Sequence, residues 1–248
     1  MNRIVNIYPN LETLSQTAAE MFIRIGNEAI QKRGQFTVAL AGGSTPKSLY
    51  QLLASERFKD KLDWEKVFFF FGDERKVSPD DAESNFKMAN ENLFEQLKLS
   101  AQNIFRWETE LKNAEKIAEK YEETVKDFFN LPANGFPGFD LILLGMGDDG
   151  HTASLFPFTE ALNETEKIAV ANYVEKLQTT RLTLTFPAIN NAANIIFLVS
   201  GANKAEILRE VLEGDFQTKK FPSQKINPEN GNVFWLIETN AAQKLSKY

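Results

Sequence analysis

The sequence predicts a doubly wound α/β fold, with a mainly parallel sheet covered by helices on both faces. Three observations predict it. Short apolar runs alternate along the chain with longer amphipathic segments, as strand–helix units joined by short links do. One run holds four consecutive phenylalanines, Phe68–Phe71, with no polar residue between them, which a strand buried on both faces requires. At 248 residues, 43% hydrophobic and 25% charged, the chain has the length and composition of one large α/β unit.

Taken in order, an amphipathic helix is expected over Leu11–Lys32, then a strand over Phe36–Leu40. That strand runs into Ala41-Gly42-Gly43-Ser44-Thr45-Pro46-Lys47, with a helix over Pro46–Ser55. Gly42 and Gly43 let the backbone approach a ligand closely, and Ser44 or Thr45 can cap the helix that Pro46 opens. Free amides at such a start form an anion seat. The run is not a Walker-type phosphate loop, which needs Gly-Lys-Ser/Thr. Nor is it a Gly-x-Ser-x-Gly elbow, since Pro46 stands at the last glycine, and Ser44 is not read as a nucleophile.

A strand over Val67–Phe71 leads into Gly72-Asp73-Glu74-Arg75, and helices are expected over Pro79–Leu97 and Lys112–Phe129. Arg75 offers a planar fork suited to phosphate and Asp73 a carboxylate for a hydroxyl or a proton; the competing reading is an ion pair internal to the turn. After the connector Leu131–Gly138, a strand over Phe139–Leu144 leads into Gly145-Met-Gly-Asp-Asp-Gly-His151. Further strands are expected over Ile168–Tyr173, Arg181–Phe186 and Ile195–Val199. The last of these meets Ser200-Gly201-Ala202-Asn203-Lys204, which opens a helix over Lys204–Leu212. A lysine at a helix start opposes the helix dipole, so Lys204 is either a ligand for a bound anion or a solvated surface lysine. A strand over Val233–Ile237 and a helix over Ala241–Lys247 close the chain.

Bulk properties exclude several classes. With no cysteine there is no disulfide, thiolate metal site or thiol nucleophile. A net charge of −6 with scattered Lys and Arg argues against a nucleic-acid partner. The N-terminus lacks the apolar region of a signal peptide, and no run approaches a membrane span, so a cytoplasmic location is expected.

The chain has one histidine, His151, in a turn rich in glycine and aspartate at a strand end. Imidazole, with an unperturbed pKa of about 6.5, exchanges a proton readily near neutrality. The run Gly145-Met-Gly147-Asp-Asp-Gly150 matches the Gly-x-Gly-x-x-Gly fingerprint of dinucleotide sites. Asp148 and Asp149 would point carboxylates at the place a pyrophosphate occupies, so the nucleotide reading is set aside. A metal held by Asp148, Asp149 and His151 lacks the second histidine of the familiar catalytic zinc sets.

Together, Ala41–Pro46, Gly72–Arg75, Gly145–Pro157, Arg181-Leu-Thr-Leu-Thr-Phe-Pro187, Phe197–Ala205 and Asn232-Val-Phe-Trp-Leu-Ile resemble the glucosamine-6-phosphate isomerase/6-phosphogluconolactonase family. The resemblance runs over nearly the whole chain. It implies a single catalytic domain over residues 1–248, and a modified Rossmann-like sheet similar to glucosamine-6-phosphate deaminase. It also implies hydrolysis of 6-phospho-D-glucono-1,5-lactone and no metal or organic cofactor. In the deaminase branch a glutamate follows the histidine five positions later; here that position is Phe156, which favours the lactonase branch. The implied site has His151 as general base, Asp149 orienting the imidazole, and glycine-turn amides serving the oxyanion. Gly42, Gly43, Ser44 and Thr45 line the substrate seat. Arg75 and Lys204 hold the 6-phosphate, while Asp73 serves a sugar hydroxyl or positions Arg75. Arg181 is carried over either as a third cation or as a packing residue at the strand's far end. A non-catalytic sugar-phosphate sensor is the alternative from another class, and it would be expected to carry a DNA-binding segment, of which the sequence shows no sign.

Overall fold

The computed structural model describes residues 2–248. Nine strands are described: β1 (Asn2–Tyr8), β2 (Phe36–Leu40), β3 (Val67–Phe71), β4 (Asp73–Arg75), β5 (Leu141–Leu144), β6 (Ala169–Val174), β7 (Thr179–Leu184), β8 (Asn194–Val199) and β9 (Asn232–Glu238). The helices are α1 (Leu11–Arg33), α2 (Ser44–Leu53), α3 (Asn85–Ala89), α4 (Glu95–Leu97), α5 (Ala114–Phe129), α6 (Phe186–Asn190), α7 (Ala205–Glu213) and α8 (Thr239–Ala242). Six strands make a sheet in the order β1-β9-β8-β5-β2-β3, every pairing parallel. The expected parallel α/β architecture is present.

The phenylalanine run shows how the two faces are covered. Phe68 and Phe70 pack on Phe105 and on Phe128 of α5, whereas Phe69 and Phe71 pack on Phe94 from the other side. The pleat sends alternate side chains to opposite faces, so a strand sandwiched between helix layers has no polar position to offer. On the Phe69 face α1 buries Leu14, Ala18, Phe22, Ile25 and Ala29, a stripe at helical spacing, and Phe22 meets Phe36 of β2 edge-on at 5.2 Å. Asn10 caps α1 by accepting from Thr13 N at 2.9 Å, and Gly34, at φ +79°, ends it. No helix among the described residues is long and apolar enough to cross a membrane.

The sheet also differs from the sequence expectation. β6 and β7 lie outside it, forming a second, antiparallel sheet in the order β4-β7-β6. Only Glu175–Gln178 separates β6 from β7, far too short for a parallel crossover, so the two can only form a hairpin. β7 stops at Leu184, because Thr185 caps α6 through Ala188 N. The helix expected from Pro79 begins at Asn85, since Ser84 is its cap and the Pro79–Glu83 stretch is turn; a π-helical segment, Asn90–Phe94, joins α3 to α4. The C-terminal helix is the single turn α8 rather than Ala241–Lys247. β1, unexpected from sequence, pairs with β9 at one sheet edge.

β2 hands the chain toward β3 on one side, and β5 hands it toward β8 on the other. The ends of β2 and β5 therefore flank the switch point, where doubly wound sheets open a crevice beyond their carboxyl ends.

Candidate active site

A cleft of about 330 Å³ opens at that switch point. The loop after β2 forms one side of it. Tyr50 of α2, fully buried, sends its hydroxyl back to Ala41, accepting from the amide at 3.0 Å and donating to the carbonyl at 2.8 Å. Beyond this anchor, Gly42 and Gly43 line the cleft. A Cβ on Gly42 would stand 1.9 Å from Asn85 Oδ1, so the loop needs glycine there for close packing. Tyr121 repeats the anchor at the end of β3, its hydroxyl accepting from Phe71 N at 2.8 Å and donating to Phe71 O at 3.0 Å. Burial pushes both phenols well above the ordinary tyrosine range, so they remain donors.

Neither Ser44 nor Thr45 caps α2, contrary to the sequence reading. Gly43 occupies the N-cap at φ +103° with no side-chain cap, which leaves the first amides of α2 without one. The Thr45 hydroxyl instead bonds Ser200 Oγ at 2.7 Å, tying this loop to the one after β8, and Ser44 is exposed outside the cleft lining.

The opposite wall is one face of the small sheet. Alternation places Asp73, Arg75, Arg181 and Thr183 on the same side, with Arg75 directly opposite Arg181 and Asp73 opposite Thr183. Like charges directly opposite across a ladder are unfavourable. Arg181 is accordingly held below the usual arginine range, by its burial first and by Arg75 second. The Arg75 guanidinium donates to the Glu83 carbonyl, and among the described residues neither arginine forms an ion pair with a carboxylate. The internal ion pair weighed for the Asp73–Arg75 turn is therefore absent. Asp73 accepts from Ser154 Oγ at 2.7 Å and from Asn85 Nδ2, and among the described residues forms no hydrogen bond or ion pair with Arg75. Glu74 points away and caps α3, accepting from Asn85 N at 2.7 Å and Phe86 N at 2.8 Å. Lys204, the N-cap residue of α7, reaches the same cleft from the β8 side.

The histidine turn closes the floor. His151 Nδ1 lies 2.6 Å from Asp149 Oδ1, which also accepts from the His151 amide at 3.2 Å. The other carboxylate oxygen accepts from Lys176 at 3.1 Å, at the tip of the β6–β7 hairpin. Burial raises the Asp149 pKa, but the hydrogen bond and charge of His151, with help from Lys176, outweigh it and hold the carboxyl well below the usual carboxylate range. An ionised Asp149 at Nδ1 keeps a proton there, so the lone pair of a neutral imidazole sits on Nε2. The ring also stacks on Phe156, with centroids 4.0 Å apart. Gly147 is the third neighbour: a Cβ there would stand 2.0 Å from His151 Nδ1. Gly150, at φ +81°, turns the chain sharply and packs against Phe221.

The structure thus gathers Gly42, Gly43, Asp73, Arg75, Asp149, His151, Arg181 and Lys204 around one cleft, and leaves Ser44 and Thr45 beside it. Arg181 lies within β7, the third of its six residues, facing Arg75 across the ladder. Sequence reasoning missed Ser154 and Asn85, which hold Asp73, and Lys176, which holds Asp149. Ser154 lay inside the histidine segment and could have been singled out; Lys176 meets Asp149 only through the hairpin fold.

The sequence and the fold both have known relatives. Residues 9–235 match the family model for glucosamine-6-phosphate isomerases/6-phosphogluconolactonase. The 6-phosphogluconolactonase of Nostoc sp. is 40% identical over 99% of this chain and 100% of its own length. A crystal structure of 6-phosphogluconolactonase from Leishmania guyanensis superposes with a TM-score of 0.88 at 28% identity, covering 99% of this chain and 100% of that one. A monomeric glucosamine-6-phosphate deaminase shares the fold, with a TM-score of 0.79 at 24% identity over 98% of this chain and all of that one. The chain belongs to the glucosamine-6-phosphate isomerase/6-phosphogluconolactonase family.

Proposed function

We propose that this chain hydrolyses 6-phospho-D-glucono-1,5-lactone to 6-phospho-D-gluconate, the second step of the oxidative pentose phosphate pathway. The observation that carries the reading is the Asp149–His151 pair, set in the same cleft as three cationic side chains, Arg75, Arg181 and Lys204, that have no carboxylate ion-pair partner among the described residues. Nε2 of His151 accepts a proton from water as its oxygen bonds to the lactone carbonyl carbon. Asp149 stabilises the imidazolium that forms. Amides of the glycine turns face the developing oxyanion. Collapse of the tetrahedral intermediate breaks the bond to the ring oxygen, which takes the proton back from His151. Arg75, Arg181 and Lys204 hold the phosphate, and this remote binding energy fixes the carbonyl beside the base. Phe156 offers no second carboxylate next to the imidazole, consistent with hydrolysis rather than isomerisation.

The test is the rate above spontaneous lactone hydrolysis. His151→Asn should lose about 10²–10⁴-fold in kcat with little change in KM, while Arg75→Ala and Arg181→Ala should act mainly on KM. A His151→Asn variant that keeps most of the excess rate overturns the assignment. Unchanged KM in both arginine variants moves the phosphate elsewhere.

A further inference from the structure

The His151 ring stacks on Phe156 with centroids 4.0 Å apart, and the hydrolytic steps do not use this contact. Asp149 alone leaves the imidazole poorly fixed. A hydrogen bond tolerates tens of degrees of bending, and a tilt of about 30° about Nδ1 carries Nε2 roughly 1 Å. A displacement of about that size is enough to cost on the order of 10²-fold in a positioned proton transfer. The Phe156 ring lies 4.0 Å from the imidazole at 26° between planes, which blocks tilting toward that side. Gly147 sits close to Nδ1 and Cε1. The ring can act as a stop because it is itself fixed. Phe156 is 7% exposed, and its carbonyl accepts from Thr159 N at 3.3 Å and Thr159 Oγ1 at 2.8 Å. Leu155 before it is fully buried, and Pro157 after it restricts its backbone.

We propose that Phe156 is a positioning residue for His151: its ring face holds the imidazole plane so that the Nε2 lone pair points into the cleft. The proposal rests on His151 being the base. The stacked face also excludes water from one side of the imidazole, so the attacking water meets the ring at its Nε2 edge. The same π face stabilises the imidazolium that forms during the reaction.

Because the chain has one histidine, its imidazole proton signals in an NMR spectrum belong to His151 without assignment. In the wild-type protein the stacked ring should shift those signals upfield of a free histidine. Phe156→Leu keeps an apolar side chain but removes the flat face. It should lose about 10–10²-fold in kcat, with KM within about twofold, and return the signals toward free values. Phe156→Tyr restores the face, and should recover kcat and the upfield shift together. Wild-type kcat in Phe156→Leu overturns the proposal, as does equal loss in the leucine and tyrosine variants. Unshifted wild-type signals overturn it even if no variant folds. An active His151→Asn enzyme would instead defeat the assignment of the base. An inactive His151→Asn beside an unimpaired Phe156→Leu defeats the positioning role alone.

Discussion

Gly147→Ala tests the site with a single methyl group. The added Cβ would stand 2.0 Å from His151 Nδ1 and 2.2 Å from Cε1, whereas ordinary contact begins at 3.4 Å, so the imidazole must retreat by roughly 1.4 Å. That movement breaks the 2.6 Å contact with Asp149 and pushes Nε2 off its line. The backbone accommodates alanine, because Gly147 is outside the left-handed region and its amide bond to His151 O at 2.8 Å does not depend on the side chain. The enzyme should fold normally and lose about 10²-fold or more in kcat. The assay is lactone hydrolysis above background, read with a thermal melt and the single histidine NMR signal. Gly145→Ala is the paired control: its methyl meets no protein atom within 4 Å, so the melt and the histidine signal should match wild type. A Gly147→Ala enzyme with wild-type kcat and an unmoved histidine signal refutes the claim that this glycine exists to admit the imidazole.

Asp149→Asn should reduce kcat by about 10²–10⁴-fold, because the neutral amide neither fixes the Nδ1 proton nor stabilises the imidazolium. The Asp149 pKa is lowered on folding, so its stabilising contribution is complete above the unfolded value of 3.8 and is lost as pH falls below it. Urea titrations of wild type and Asp149→Asn should show a wild-type margin that shrinks between about pH 4 and pH 2; a margin constant over that interval contradicts the pairing. Tyr50→Phe strands the buried amide and carbonyl of Ala41, and Tyr121→Phe strands the Phe71 amide, while the Phe71 carbonyl keeps the Trp107 Nε1 donor at 3.2 Å. Each should cost about 1–3 kcal/mol in urea denaturation with an unchanged m value. Losses below about 0.5 kcal/mol would show that the strand ends do not need these hydroxyls.

Most of the parallel sheet was legible because its signals are local. Phe36–Leu40 and Val67–Phe71 have the same bounds in sequence and structure: the second is a continuous apolar run ended by Gly72, and the first is an apolar run broken only by the buried Thr37 and followed by Ala41-Gly42. β1 was not legible: it is an edge strand with Ile4 and Ile7 partly exposed, and mixed polarity blurs its pattern. The α3 start was missed because Pro79 looks like a first-turn proline. The turn ahead of the helix is fixed instead by long-range bonds, with Glu74 accepting from the first α3 amides and Arg75 donating to Glu83. The departure of β6 and β7 from the main sheet was readable in principle, since a gap of four residues forbids a parallel crossover.

The site was legible where a residue's role follows from its own loop, and hidden where the role comes from a partner across the fold. His151 and Asp149 are two residues apart, so their pairing needs only the turn between them. Arg181 could not be placed from sequence, because facing Arg75 depends on the β4–β7 register, and a shift of one residue would have turned it to the opposite face. The Gly-x-Gly-x-x-Gly run shows why a motif has to be read through contacts. Gly145 has open space at its Cβ position, Gly147 admits the imidazole, and Gly150 makes the turn at φ +81°. Of the three glycines, two are required by the placement of His151 and its turn. Carboxylates at Asp148 and Asp149 repel phosphate from a dinucleotide loop, but beside an imidazole that must become cationic the Asp149 charge is an asset. On the proposed reading the same spacing serves proton transfer, and the lone histidine is what favours it over the dinucleotide reading.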